Sequence, residues 1–309
     1  MLFLRSLAIL VAAAGVLRAA TPQTAPAPAA APASTQSFLG DNLLVTWYGN
    51  PWSKRMGILG ERKGADLAAG LKEQAAAYQK LTTKHVIPAY HLVAVVAQAD
   101  AGADGKYRRR ETTKVIRQML DEARANGFKL ILDVQPGWST VAEEVTFLKP
   151  FLMEPDVYLG LDPEFSMLED SVRVAHGGKP MGVRKVTGTI IGTMLGQDVN
   201  AALDIVEQIV TENHLPPKVV IVHQFTWNMF PNKQVVRSSK ILDVVLDIDG
   251  FGPRTLKLST YRAVIKQTPL EATAFKFMGV KLFYKQDTNL FTPADVMALK
   301  PSPAVVIYQ

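Results

Sequence analysis

Apolar runs of strand length recur along this chain with helical patterns between them, and that alternation restricts the fold more than any other feature. Runs at 43–48 ("LLVTWY"), 86–97, 129–135 ("KLILDVQ"), 157–162 ("VYLGLD"), 218–224 ("KVVIVHQ"), 243–249 ("DVVLDID"), 280–285 ("VKLFYK") and 304–309 read as strands. Helical spacing of apolar residues fills 64–81, 111–127, 140–152, 198–214 and 256–268. Shorter or weaker helices are expected at 232–241 and 292–300, and Pro150 is expected to interrupt the helix at 140–152. The runs are apolar rather than cleanly alternating, as in a parallel sheet covered by helices. Eight β/α repeats within about 270 residues predict an α/β fold, a closed (β/α)8 TIM barrel. Its last helix is expected to be missing, and a long loop follows the fourth strand. An open doubly wound sheet is the alternative; it loses ground because no G-x-G-x-x-G follows the first strand.

Ahead of the repeats, "MLFLRSLAILVAAAGVLRAA" has an early Arg5, an apolar run and then small residues, the layout of a secretory signal peptide at 1–19. The run is too short to predict a membrane span, so no stable membrane insertion is expected after cleavage. The Ala/Pro-rich segment 20–37 reads as an extended spacer, and the barrel domain is expected over 38–309. The expected location is extracellular or periplasmic. The chain has 309 residues, no cysteine and a formal charge of +6. Loss of Arg5 and Arg18 with the leader would leave 6 − 2 = +4. That is mild, and no nucleic-acid motif accompanies it, so nucleic acid is not an expected partner. The basic cluster "KYRRR" at 106–110 reads as a solvated helix start, with contact to an anionic polymer as the alternative.

Chemistry in such a barrel sits at the C-terminal strand ends. Those ends carry Trp47 and Tyr48; His91; Asp133, Gln135 and then Trp138; Asp162 and Glu164; His223 and Gln224; Asp247 and Asp249; Tyr284 and Lys285. Side chains two apart on a strand share a face, with Cα atoms about 6.6 Å apart. Three strands therefore each offer a polar pair: Asp133 with Gln135, Asp162 with Glu164, and Asp247 with Asp249. Asx turns at the strand-to-helix loops are the plain structural reading. They suit Asp249-Gly250 and suit Glu164 poorly, because Glu is not a turn former. Whether His223 or Gln224 faces inward is open at this level. A glycosidase needs one protonated carboxyl and one carboxylate, with their pKa values driven apart by burial and mutual charge. Trp47, Trp52, Trp138, Trp227 and Tyr284 are expected to supply aromatic faces for sugar rings.

The segment "GLDPEF" resembles the D-x-E ending of the fourth strand in glycoside-hydrolase barrels of the chitinase and family 25 lysozyme kinds. That resemblance implies a carbohydrate substrate, Glu164 as general acid, and Asp162 as the residue that positions or stabilises a reacting N-acetyl sugar. "HQFTW" is similar to the "WQY" segment of the lysozyme kind. The fuller chitinase pattern has another Asp where this chain has Gly160, and an aromatic where it has Pro163. "DPEF" and "HQFT" also resemble segments of secreted bacterial proteins, which implies no activity.

The expected site is therefore Glu164, Asp162, Asp133 and Asp247 for catalysis. Trp47, Tyr48, His91, Gln135, Trp138, His223, Gln224, Asp249, Tyr284 and Lys285 are expected to bind substrate, a cell-envelope or extracellular polysaccharide of peptidoglycan type among them. The Gly-rich stretch between Phe165 and Gln197 reads as a lid or substrate wall. No cofactor and no metal ligand is expected, since no H-x-H or H-E-x-x-H spacing occurs. Two rival readings stand beside the glycosidase. One is a metal-dependent hydrolase drawing on His91, Asp133, Asp162, Glu164, His223 and Asp247. The other is a barrel that binds glycan without cleaving it.

Overall fold

A computed structural model of the chain describes residues 36–168, 191–268 and 274–309. The expected leader, the spacer up to residue 35, and most of the Gly-rich stretch lie outside the described residues.

Eight parallel strands close on themselves. They are β1 (Asn42–Gly49), β2 (His85–Ala97), β4 (Lys129–Val134), β5 (Val157–Leu161), β6 (Lys218–Gln224), β7 (Leu242–Ile248), β8 (Phe277–Leu282) and β9 (Val305–Tyr308). Each pairs with the next, and β1 pairs with both β2 and β9, so no barrel edge is left open. The (β/α)8 barrel read from the sequence is therefore the observed architecture. The covering helices are α2 (Ile58–Glu61) and α3 (Gly64–Gln79), α4 (Thr113–Ala125), α5 (Val141–Leu152), α6 (Gly196–Glu212), α7 (Arg254–Lys266) and the short α8 (Pro293–Met297). Before β1, the single turn α1 (Phe38–Asp41) sits under the barrel. Its Leu39 N–H donates to Asp243 Oδ2 at 2.7 Å, and Leu39 packs into the barrel interior. No described helix is long and apolar enough to cross a membrane.

Local chemistry explains most boundaries. The Thr112, Thr140 and Thr292 hydroxyls accept from the N–H groups of Val115, Glu143 and Asp295, supplying acceptors for helix-start donors. Asn126 and then Gly127, at φ +75°, end α4. Helix α5 runs through Pro150 to Leu152 instead of breaking there, since only its last turn has to absorb the missing donor.

Alternation of burial sorts the strands into two cores. Outward residues such as Leu43, Val45, Leu130, Leu132, Val220 and Val222 pack under the helices. Inward residues such as Leu44, Ala89, Ile131, Tyr158, Ile221, Val245 and Ile307 fill the barrel. A register shift between Val93 and Val95 sends Ala94 and Val95 outward together and returns Val96 to the inside.

Three expectations are corrected. "KYRRR" is no helix start: Arg108–Arg110 forms β3, antiparallel to the end of β2. Nor is it a free basic patch. Arg108 and Arg110 both donate to the fully buried Glu144, and Arg109 pairs with Glu111. The stretch 232–241 holds only one 3-10 turn, Lys233–Val235, because Lys233 is buried by bonding Gln224 Oε1 at 2.7 Å. The seventh barrel strand begins at Phe277 and ends at Leu282, so Tyr284 and Lys285 lie past its end.

Candidate active site

The expected D-x-E pair is not two steps on one strand. β5 stops at Leu161, and Asp162 caps a single turn, Pro163–Phe165, by accepting the Glu164 N–H at 3.3 Å. Pro163 suits the first position of that turn, since it has no N–H to leave unpaired. An Asx turn is therefore present, formed by Asp162 itself, and it aims Glu164 into the barrel mouth. Two loops clamp the turn. Gly137 N donates to Phe165 O at 2.9 Å, and Met167 N donates back to Gly137 O at 2.8 Å. On the other side, Gly192 N donates to Glu164 O at 2.6 Å, and Thr193 N to Ser166 O at 2.8 Å. A Cβ on Gly192 would lie 2.5–2.8 Å from the carbonyl oxygens of Ser166, Glu164 and Pro163, so only glycine permits this approach.

Above the turn opens a cavity of about 890 Å³. Its polar lining includes Tyr48, Gln135, Asp162, Glu164, Asp249 and Lys281, and its aromatic walls are Phe165, Phe225, Phe251 and Phe283. Lys281 Nζ pairs with Asp249 Oδ2 at 3.0 Å and sits 4.0 Å from the centre of the Tyr48 ring. Gln135 accepts from Ala97 N–H through Oε1 at 3.2 Å and donates through Nε2 to Asp162 Oδ2 at 3.2 Å. Burial, reinforced by Asp162 and Asp249, pushes the Glu164 carboxyl up to about 8 against the pull of Lys281 and His223. Burial also pushes Asp162 up to about 6, with Asp133 and Asp249 adding to it and His223 and Lys281 opposing. At neutral pH this leaves a protonated Glu164 beside an Asp162 that is mostly ionised.

Beneath the cavity floor lies a second polar layer, fully buried: His91, Asp133, His223 and Asp247. Tyr48 donates to Asp133 Oδ2 at 2.8 Å, and His223 Nδ1 lies 2.9 Å from Asp247 Oδ2. Burial opposes ionising Asp133, yet His223 and His91 hold it well below the usual carboxylate range. Burial likewise opposes a charge on His223, and the Asp133 and Asp247 carboxylates outweigh it, so this imidazole is raised. Two glycines make the layer possible. A Cβ at Gly160 would stand 2.2 Å from Asp133 Oδ1, and one at Gly279 would stand 2.5 Å from Asp247 Oδ1. Each glycine is the direct register partner of that aspartate on the next strand. Gly160, where the chitinase pattern has an Asp, is thus the place a carboxylate from β4 leans into.

The structure divides the expected site residues. Glu164, Asp162, Gln135, Tyr48 and Asp249 converge on the cavity. Asp133, Asp247, His91 and His223 form the layer below and do not line it. Strand phase turns His223 inward, whereas Gln224 is buried on the outer side, bonded to Lys233 and Thr226 O. Trp47 points outward under α3, with the Arg62 guanidinium 5.1 Å from its ring centre. Trp138 packs on Tyr107 at 5.2 Å and does not line the cavity. Tyr284 stacks on Tyr308 at 5.2 Å on the outer face beside Trp47, and Lys285 pairs with Glu61 in a neighbouring pocket that shares Arg55, Gln286 and Gln309 with the cavity; neither lines the cavity itself. The expected tryptophan platform is replaced by phenylalanines. Lys281 was the missed residue, and its signal was available: one lysine inside the apolar strand "FMGVKL".

No protein-family model matches this sequence, and no curated protein matches it. Among solved structures it is similar to a GH18 chitinase from Pseudoalteromonas aurantia, with a TM-score of 0.42, 10% identity, and coverage of 86% of this chain and 93% of that one. It is also similar to a family 1 β-glucosidase from Thermotoga maritima, with a TM-score of 0.38, 10% identity, and coverage of 86% and 87%.

Proposed function

We propose that this protein is a glycoside-hydrolase-like barrel that cleaves a polysaccharide by carboxylate acid/base chemistry, with Glu164 as the acid. One observation carries the reading: a glutamic acid whose burial keeps it protonated at neutral pH stands in a large cavity beside two aspartates. The protonated Glu164 donates to the leaving glycosidic oxygen as the bond to the anomeric carbon breaks. Asp162, deeper and mostly ionised, stabilises the positive charge that develops on the sugar. Water supplies the new hydroxyl at the anomeric carbon, and a carboxylate accepts its proton. The Lys281–Asp249 pair and Gln135 hold the Asp162 side of the cavity in place. The phenylalanine walls offer apolar area to sugar faces, and the cavity volume is that of a specific ligand site. An N-terminal export signal, read from the sequence, supports an envelope or extracellular polysaccharide as the substrate.

The test incubates full-length protein, beside Glu164→Gln, with peptidoglycan, chitin oligomers and neutral polysaccharides, and follows new reducing ends by mass spectrometry. Cleavage by the wild type that disappears in the folded variant supports the assignment. Glycan retained without cleavage by either protein would replace it with the binding reading.

A further inference from the structure

The buried layer under the acid pair has donor atoms left over. His91 Nδ1, His91 Nε2, Asp133 Oδ1, His223 Nε2 and Asp247 Oδ1 are buried and make no hydrogen bond. Polar atoms without a hydrogen bond in a barrel interior are costly, and five in one layer call for an explanation. Three of them converge. Asp133 Oδ1 lies 3.5 Å from His91 Nε2 and 3.4 Å from His223 Nε2. One ligand atom from each of the three residues falls within 4.8 Å of the others.

Those separations have a meaning. Ligands about 2.1 Å from a tetrahedral ion stand about 3.4 Å from one another. The supporting contacts also fit an ion. Asp133 keeps Oδ1 for the centre because Tyr48 occupies Oδ2 at 2.8 Å. His223 holds Asp247 through Nδ1 at 2.9 Å, the arrangement that leaves Nε2 of a metal-bound imidazole free to ligate. Charge favours a cation as well. Asp133, Asp162, Asp247 and Asp249 are buried here against the ammonium of Lys281, on Asp249, and that of Lys257, which is already paired with Asp287. Gly160 keeps the centre open, since a Cβ there would press on both Asp133 Oδ1 and His91 Nε2.

We propose that His91 Nε2, Asp133 Oδ1 and His223 Nε2 bind one divalent transition-metal ion, zinc or a close substitute, inside the barrel beneath Asp162 and Glu164. The sequence offered all three residues among the candidate ligands of the metal-dependent reading, but no local spacing joined them, because they come singly from β2, β4 and β6. None of the three lines the cavity, so the ion is enclosed and its role is to brace the strands under the acid pair.

The test reads metal content and stability without any substrate, so it stands or falls separately from glycan cleavage. Full-length protein is assayed for metal as purified. It is then unfolded with a chelator and refolded with and without zinc chloride, or with cobalt chloride for its visible spectrum. One zinc per chain, a tetrahedral Co(II) spectrum, and a melting temperature about 5–10 °C higher with free zinc at a hundred times its dissociation constant are expected. His91→Ala, His223→Gln and the milder Asp133→Asn are expected to lose the ion and the melting shift. Folded wild type that carries no metal as purified and takes none up on refolding overturns the proposal. So does zinc that persists at equal stoichiometry in the three variants, which would place it elsewhere. If a variant fails to fold, the wild-type stoichiometry and cobalt spectrum still decide.

Discussion

Replacing Glu164 by Gln should make this protein more stable in alkali than the wild type, although it removes a residue from the candidate site. In the folded chain the carboxyl ionises only near 8, against 4.5 for an unperturbed Glu. The unfolded chain therefore gives up this proton at a lower pH than the folded one. Wild-type stability from this group is intact below about 4.5, falls as pH rises, and is fully lost above about 8. The whole displacement corresponds to roughly 5 kcal/mol, and solvent in the cavity reduces the expected effect to about 2–5 kcal/mol. Glutamine has nothing to ionise and escapes the loss. The charged groups acting on Glu164 are Asp162, Asp249, Lys281 and His223, and all remain in the variant. Groups remote from Glu164 cancel when the two proteins are compared. Urea unfolding of full-length wild type and Glu164→Gln at pH 4, 6.5 and 9 measures the difference. The variant should be equal or slightly weaker at pH 4 and should gain steadily to pH 9. Parallel curves at all three values would mean Glu164 ionises like an exposed residue, and the acid assignment would lose its basis.

Four further outcomes are expected. If the pair catalyses, kcat/KM should be bell-shaped with apparent limbs near 6 and 8, belonging to Asp162 and Glu164 jointly; Asp162→Asn should move the alkaline limb down, because it removes a negative neighbour. Gly160→Ala should destabilise by about 1–3 kcal/mol in urea, since its Cβ would sit 2.2 Å from Asp133 Oδ1 and the core cannot give without disturbing that layer. Glu144→Ala should cost about 3–5 kcal/mol in the same assay, because it leaves Arg108 and Arg110 without the buried carboxylate they share. Tyr284→Ala and Lys285→Ala should leave glycan cleavage within about twofold of wild type, since neither side chain lines the cavity.

Periodicity by itself determined the number of barrel strands and most of the helices covering them, because both depend on local spacing of apolar residues. It also placed acids at the ends of the fourth, third and sixth barrel strands, and Asp162, Glu164 and Asp249 do meet at one mouth. Short-range reading failed where burial by a distant partner overrode local pattern. Arg108–Arg110 became a strand because Glu144, far along the chain, waits beneath it, and 232–241 gave up helix for a buried Lys233. Aromatics at strand ends were visible, but which face each served was not. Trp47 and Tyr48 are adjacent, and only closure of the barrel sends one under a helix and the other to the acids. The same closure decided that His223 rather than Gln224 turns inward. It brought His91, Asp133 and His223 together from three strands and matched Gly160 and Gly279 to the aspartates beside them. Register between strands is a property of pairing and twist over the whole sheet, so a glycine's duty to its neighbour's carboxylate exists only once the barrel is closed.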